Sequence, residues 1–344
     1  VAEHRSGDAL SCHDPGLWDK GKRMGLGLKV VGLLVGALLF FAGAGVVATW
    51  APDKPVSELA PRWARPPSQF VEVQGMQVHL RDEGPGAGAP MAADAPAPIV
   101  LLHGTSASLH TWEGWTGALK GQRRVIRFDL PGFALTGPHP HDDYSIDAYV
   151  RFVVATLDRL GIARCVLAGN SLGGQIAWAV AATHPTRVER LVLVDAAGYP
   201  FEPQSVPIGF QIARLPVLDP LMRNTLPRGL VERSVRNVYG NPAKVTPELV
   251  DLYADMALRE GNRRALGLRM AQRLAVAPER IATLKLPTLI LWGGQDRLIP
   301  PDNAQKFARD ITGSRLVMFD DLGHVPHEED PGRTIAPVKA FLGL

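Results

Sequence analysis

Cysteine is nearly missing from this chain. Among 344 residues there are two, Cys12 in a polar N-terminal stretch and Cys165 in an apolar run. Such a pair supplies neither a disulfide framework nor a cysteine-ligated metal site, so the fold has to hold without covalent staples. A surplus of either charge is missing too. Lys and Arg number 37 against 34 Asp and Glu, a formal net charge of +3. The basic residues are scattered, with no stripe and no aromatic ladder beside one, which argues against a nucleic-acid partner. Apolar residues make up 46% and charged residues 21%, a globular composition with ample material for a core. Low complexity is confined to Gly84 to Pro98, almost wholly Gly, Ala and Pro, which reads as an insert with no means to form a core.

What the chain does have is one long apolar run. Val30 to Trp50 contains no charged residue. As a helix these 21 residues would span about 31 Å, the thickness of the hydrocarbon core of a bilayer. Lys20, Lys22, Arg23 and Lys29 precede the run, and Lys54, Arg62 and Arg65 follow it. A four-to-three count favours by one charge a cytoplasmic N-terminus and an exported C-terminal domain. Two other readings stay open. Ala42-Gly43-Ala44 and Val46-Val47-Ala48 resemble signal-peptide cleavage sites, and a buried core helix is conceivable, although no amphipathic stripe is present. A start at Met24 would leave a short basic lead. The expected layout is therefore a polar tail over 1–29, a membrane anchor over 30–50 and a proline-rich linker over 51–69.

The rest alternates. Residues 70–81 form a hairpin pattern around Gly75. From Ile99 onward short continuous apolar runs, suited to strands covered on both faces, alternate with helical spacings such as Ile146 to Leu160. This predicts a mostly parallel central sheet with helices on both faces. The core is expected over 70–197 and 285–344. Between them, residues 198–284 break the rhythm with short helices separated by prolines. Such an insertion lies at the carboxyl ends of the strands, where α/β sheets bind ligands, and reads as a helical lid.

The strongest chemical signal is Gly169-Asn170-Ser171-Leu172-Gly173-Gly174, placed between an apolar strand and an apolar helix. Small residues two positions either side of a serine permit a sharp turn that lifts the hydroxyl above the sheet at a helix N-terminus. A serine hydroxyl needs a base. His324 follows the last strand and Gly323; Asp296 follows the strand Thr288 to Trp292 and a glycine turn. Asp195, which also ends a strand, is the rival acid, and His327 the rival base. An oxyanion needs backbone N–H donors. Leu172 and Thr105 are the candidates, with Gly104 permitting a tight loop and His103 orienting it. His139, His141, Asp142 and Asp143 cluster without metal-ligand spacing, so no metal is expected. The loop at Asp129 reads as site floor, and Trp112 and Trp115 as either pocket wall or sheet packing.

With His103-Gly104, the Gly169 to Gly174 motif, Gly294-Gln295-Asp296 and Gly323-His324 in that order, the sequence resembles the α/β-hydrolase superfamily over about 70–344. The loop at Asp129 departs from the common pattern, with Ala134 and Thr136 where Gly and Ser are frequent. The resemblance implies an α/β-hydrolase fold with a lid and a Ser171, Asp296, His324 triad, and no cofactor. The expected activity is cleavage of a hydrophobic ester or thioester through an acyl-enzyme. A serine-dependent carbon–carbon bond hydrolase is the alternative, and a silent binding protein on the same scaffold a third reading. The expected partners are a small hydrophobic substrate and a membrane, with no nucleic acid; the sequence leaves the oligomeric state open.

Overall fold

The computed structural model describes residues 1, 15–215, 217, 223–272 and 277–344. Residues 2–14 of the polar tail, Cys12 among them, lie outside these. The chain divides into two compact units, Val1–Trp50 and Ala51–Leu344. Among the described residues the first holds one helix, α1 (Pro15–Ala48). Its stretch Leu28–Ala48 is apolar, with a mean hydropathy of 2.5 and none of it buried.

In the second unit eight strands form one sheet in the order β1-β2-β4-β3-β5-β6-β7-β8. β1 (Ser68–Val73) and β2 (Met76–Glu83) make the expected hairpin, and β2 also pairs antiparallel with β4 (Val125–Phe128). All other pairings are parallel, through β3 (Ile99–Leu102), β5 (Cys165–Asn170), β6 (Val188–Val194), β7 (Thr288–Gly293) and β8 (Arg315–Phe319). Every residue of β3, β4, β5 and β7 is buried. Two apolar clusters account for this, one on each face of the sheet, with α3 (Glu113–Leu119) in one and α4 (Ile146–Arg159) in the other. A strand with no solvent-facing side has no reason to alternate, hence the unbroken apolar runs. Trp112 and Trp115 belong to the second cluster and are fully buried, so packing is their role.

The chain moves from β3 outward to β4, then returns to place β5 on the other side of β3. That reversal opens a crevice between the loops after β3 and β5, the position at which α/β sheets bind ligands. Over it, between β6 and β7, lie the lid helices α6 (Ile208–Ala213), α7 (Arg228–Val238), α8 (Pro247–Leu258) and α9 (Asn262–Ala271). The Thr246 hydroxyl caps α8 by accepting from Leu249 N at 3.2 Å.

The expected linker is corrected here. Within residues 51–67, α2 (Val56–Trp63) is a helix whose Leu59 is 2% exposed. Asp53 pairs with Arg263, Lys54 and Trp63 with Asp255, and Arg62 with Asp251. Proline density suggested an extended spacer, but Pro55 and Pro61 are accommodated at a helix start and within a short helix. Leu59 supplies the apolar contact that a free linker would lack.

The Asp129 loop is also more than a floor. The Asp129 side chain is fully buried and accepts from His79 Nδ1 at 2.7 Å, Leu109 N at 2.8 Å and Leu135 N at 3.0 Å. Burial disfavours the charge, but His79 and these donors outweigh it and hold the carboxyl at about 2. A carboxyl depressed in the folded state contributes stability above its unfolded value, near 4, and loses it as pH falls toward 2. Asp129→Asn is expected to lower stability by about 3 kcal/mol at pH 7. Urea titrations should show the gap between variant and parent closing between about pH 4 and 2; a gap independent of pH would contradict this assignment.

Candidate active site

The turn after β5 sets the site. Ser171 has φ 54° and ψ −115°, a conformation that non-glycine residues rarely adopt. A Cβ on Gly169 would lie 2.2 Å from Gly173 O, and one on Gly173 would lie 2.2 Å from Leu102 O. Any side chain at either position would force the turn open, which is why the motif needs glycine two residues before and after the serine. Ser171 then stands at the N-terminus of α5 (Leu172–Thr183), whose dipole is positive there.

The structure brings His324 and Asp296 together. His324 Nδ1 lies 2.7 Å from Asp296 Oδ2, with both side chains almost wholly buried. Asp296 Oδ1 accepts from Leu298 N at 2.8 Å and Ile299 N at 2.9 Å. The carboxylate is thereby fixed, and it fixes the imidazole with Nε2 free to act. His324 lines the same cavity as Ser171. His327 is not part of this arrangement: it is buried, with Nε2 3.1 Å from Thr111 Oγ1, and packs on Trp112.

Asp195, the rival acid, stands close by. One side-chain atom from each of Asp195, Asp296 and His324 falls within 4.8 Å of the others, the one such group of carboxylate and imidazole atoms among the described residues. One of its three pairs, His324–Asp296, is the hydrogen bond just described. Asp195 Oδ1 accepts from Gly293 N at 2.9 Å, while Oδ2 has no protein partner. Burial and the neighbouring Asp296 carboxylate push its pKa well up. Asp296 accepts three hydrogen bonds and Asp195 one, so Asp195 is the less supported as an anion of the two.

Among the described residues, neither the N–H of Leu172 nor that of Thr105 donates to a protein acceptor, and both residues line the cavity with Ser171. His103 steadies the Thr105 loop. Its Nε2 accepts from Leu130 N at 2.9 Å, so Nδ1 carries the proton and donates to Gly104 O at 2.7 Å. Burial lowers its pKa and keeps the ring neutral. Asn170 Nδ2 donates to Val194 O and His324 O, at 3.1 and 2.9 Å, tying the serine turn to the histidine loop.

The sequence reading missed Glu329. Its carboxylate accepts from Gly240 N, Asn241 N and Gly323 N, at 2.9, 2.8 and 2.9 Å. It thus joins the end of α7 to the residue before His324. No local pattern marks it, because its partners are backbone amides 89, 88 and 6 residues away. The cluster around His139 is a loop in which Asp142 pairs with Arg264.

The cavity above Ser171 measures about 610 Å³. Phe210, Leu230, Val235, Met256 and Leu268 of the lid helices form much of its wall. This is the size and character of a site for a mostly apolar small molecule.

Residues 97–331 match the family model described as alpha/beta hydrolase fold. A 2-hydroxy-6-oxo-2,4-heptadienoate hydrolase of Pseudomonas putida is 30% identical over 288 residues, covering 80% of this chain and 95% of its own. Lipase 3 of a Moraxella species is 28% identical over 250 residues, covering 71% of this chain and 76% of its own. The structure of a meta-cleavage product hydrolase from Pseudomonas fluorescens superposes with a TM-score of 0.67 at 26% identity, covering 80% of this chain and 97% of that one. The chain belongs to the α/β-hydrolase fold family.

Proposed function

We propose that the protein is a serine hydrolase that cleaves a carboxylic ester or thioester of a hydrophobic molecule through an acyl-enzyme. The observation that carries this reading is the joint presentation, to one apolar cavity, of Ser171 on its strained turn, the His324–Asp296 pair, and the two unpaired N–H groups of Leu172 and Thr105. Ser171 Oγ attacks the acyl carbon and His324 Nε2 takes its proton. The carbonyl oxygen, now negative, is held by Leu172 N–H and Thr105 N–H. His324 returns the proton to the departing alcohol or thiol, water repeats the attack on the acyl-serine, and the acid leaves. Asp296 keeps the imidazole in the tautomer that allows both transfers.

A second reading is favoured by the Pseudomonas putida relative, whose name states hydrolysis of a dienoate. In it the same residues cleave a carbon–carbon bond next to a ketone. A panel separates the two: p-nitrophenyl esters of graded acyl length beside a 2-hydroxy-6-oxo-dienoate. Ester turnover that peaks at one chain length, with no acid released from the dienoate at the same enzyme concentration, is the expected result. Dienoate cleavage without ester turnover would replace the first reading by the second.

The apolar helix over 28–48 supports a membrane anchor in this proposal. A mature chain that begins after Ala44 or Ala48 would make it a signal peptide instead.

A further inference from the structure

The cavity that holds Ser171 and His324 is apolar but not electrically neutral. Among the described residues no Asp or Glu lines it, whereas five arginines do. Arg263 is paired with Asp53 and Arg264 with Asp142. Arg269, in the last turn of α9, is different. It is 6% exposed and makes no ion pair with any described residue. Its Nε is sealed from solvent without an acceptor. Its one titratable partner is the phenol of Tyr149, whose hydroxyl donates to Pro131 O at 3.0 Å and accepts from the guanidinium, so a neutral oxygen and no carboxylate stands beside the charge.

A buried guanidinium with no anion beside it is costly for a fold to keep. Other buried arginines of this chain obey that rule: Arg124 is held by Asp82 at 2.6 Å and Arg127 by Glu83 at 2.8 Å. Arg269 is the exception, and it lines the ligand cavity. We infer that Arg269 receives an anionic group of the substrate, so that the ester cleaved at Ser171 carries a phosphate or carboxylate on the same molecule as its apolar acyl chain. The planar donor fork suits either anion. The lid wall formed by Phe210, Leu230, Val235 and Met256 takes the chain. The substrate class is then an anionic amphiphile rather than a neutral ester. This inference rests on the ester reading above for the bond that breaks, and on Arg269 alone for the charge.

The test uses the full chain in a non-ionic detergent and has two arms. In the first, decyl phosphate, 3-(decyloxy)propanoate and decanol compete for a fluorescent apolar dye in the cavity. None of the three has a carboxylic ester bond, so this arm reads recognition without turnover. At least one of the two anions is expected to bind roughly 10- to 100-fold tighter than decanol, the effect of a charge-assisted hydrogen-bonded pair. The tighter of the two names the source as phosphate or carboxylate. Arg269→Met should bring the ratio of anion to decanol affinity to about one, and Arg269→Lys should restore part of it. Equal binding of all three by the parent protein, or a ratio that survives Arg269→Met, overturns the inference. If Arg269→Met fails to fold, the parent ratio and Arg269→Lys decide. In the second arm, decanoyl esters of glycerol and of glycerol 3-phosphate are offered as substrates. Anion selectivity in the first arm with no ester cleaved in the second refutes the ester reading and leaves the anion site standing. Ester cleavage without anion selectivity does the reverse.

Discussion

Ser171→Ala is expected to lower ester turnover by about 10⁴- to 10⁶-fold, with apolar ligands still bound. The size of the loss follows from the geometry. Leu172 N–H and Thr105 N–H remain in place after the substitution, so oxyanion stabilisation survives and a water molecule becomes the nucleophile. What is lost is an attacking oxygen held by the chain itself, and with it the acyl-enzyme. Labelling by a fluorophosphonate should vanish in the same variant, while dye binding in the 610 Å³ cavity should not change beyond about twofold. A Ser171→Ala protein that retains a tenth of the parent rate would mean that another group performs the chemistry. Retained labelling would say the same of the nucleophile.

The second large effect separates two carboxyls that the sequence presents as rivals. Asp296→Asn is expected to lower kcat by about 10⁴-fold, because an amide facing His324 Nδ1 favours the wrong tautomer of the ring. Asp195→Asn is expected to change kcat by less than about tenfold. Burial and Asp296 push the Asp195 pKa well up, so the amide stands in for the neutral acid form that this position favours. Stopped-flow or steady-state assays on both variants, at one pH near 7.5, decide the matter. Equal losses would place the negative charge across both carboxyls rather than on Asp296. A larger loss in Asp195→Asn would reverse the assignment.

Much of this site can be read from the chain because its parts lie in short segments. Gly169 and Gly173 are required by contacts within the turn and with β3, and each sits two residues from the serine. Asp296 and His324 follow apolar strands at glycine turns, a local signature. The two faces of the sheet are legible for the same reason: β3, β5 and β7 are apolar at every position or nearly so, as strands buried on both sides must be. Where the reading fails, the cause is long range. Glu329 serves amides on a distant loop, and Asp129 gathers donors from positions 79, 109 and 135. Arg269 has no local mark at all; that no described acid stands beside it is visible only in the folded chain. The packed course of residues 51–67 was hidden because proline content describes what a segment cannot do, and Leu59 finds its burial only in the folded unit.

That course also determines where the chain can be cut. A soluble fragment begun at Pro66, a natural choice from composition, would discard α2 together with Asp53, Lys54, Arg62 and Trp63. Asp251 and Asp255 on α8 would lose these partners, and Arg263, a second arginine on the cavity wall, would be left unpaired. A fragment begun at Ala51 keeps them all. The folded unit therefore starts at Ala51, well before its first strand at Ser68, and the helices between β6 and β7 owe part of their footing to a segment far from them in the sequence.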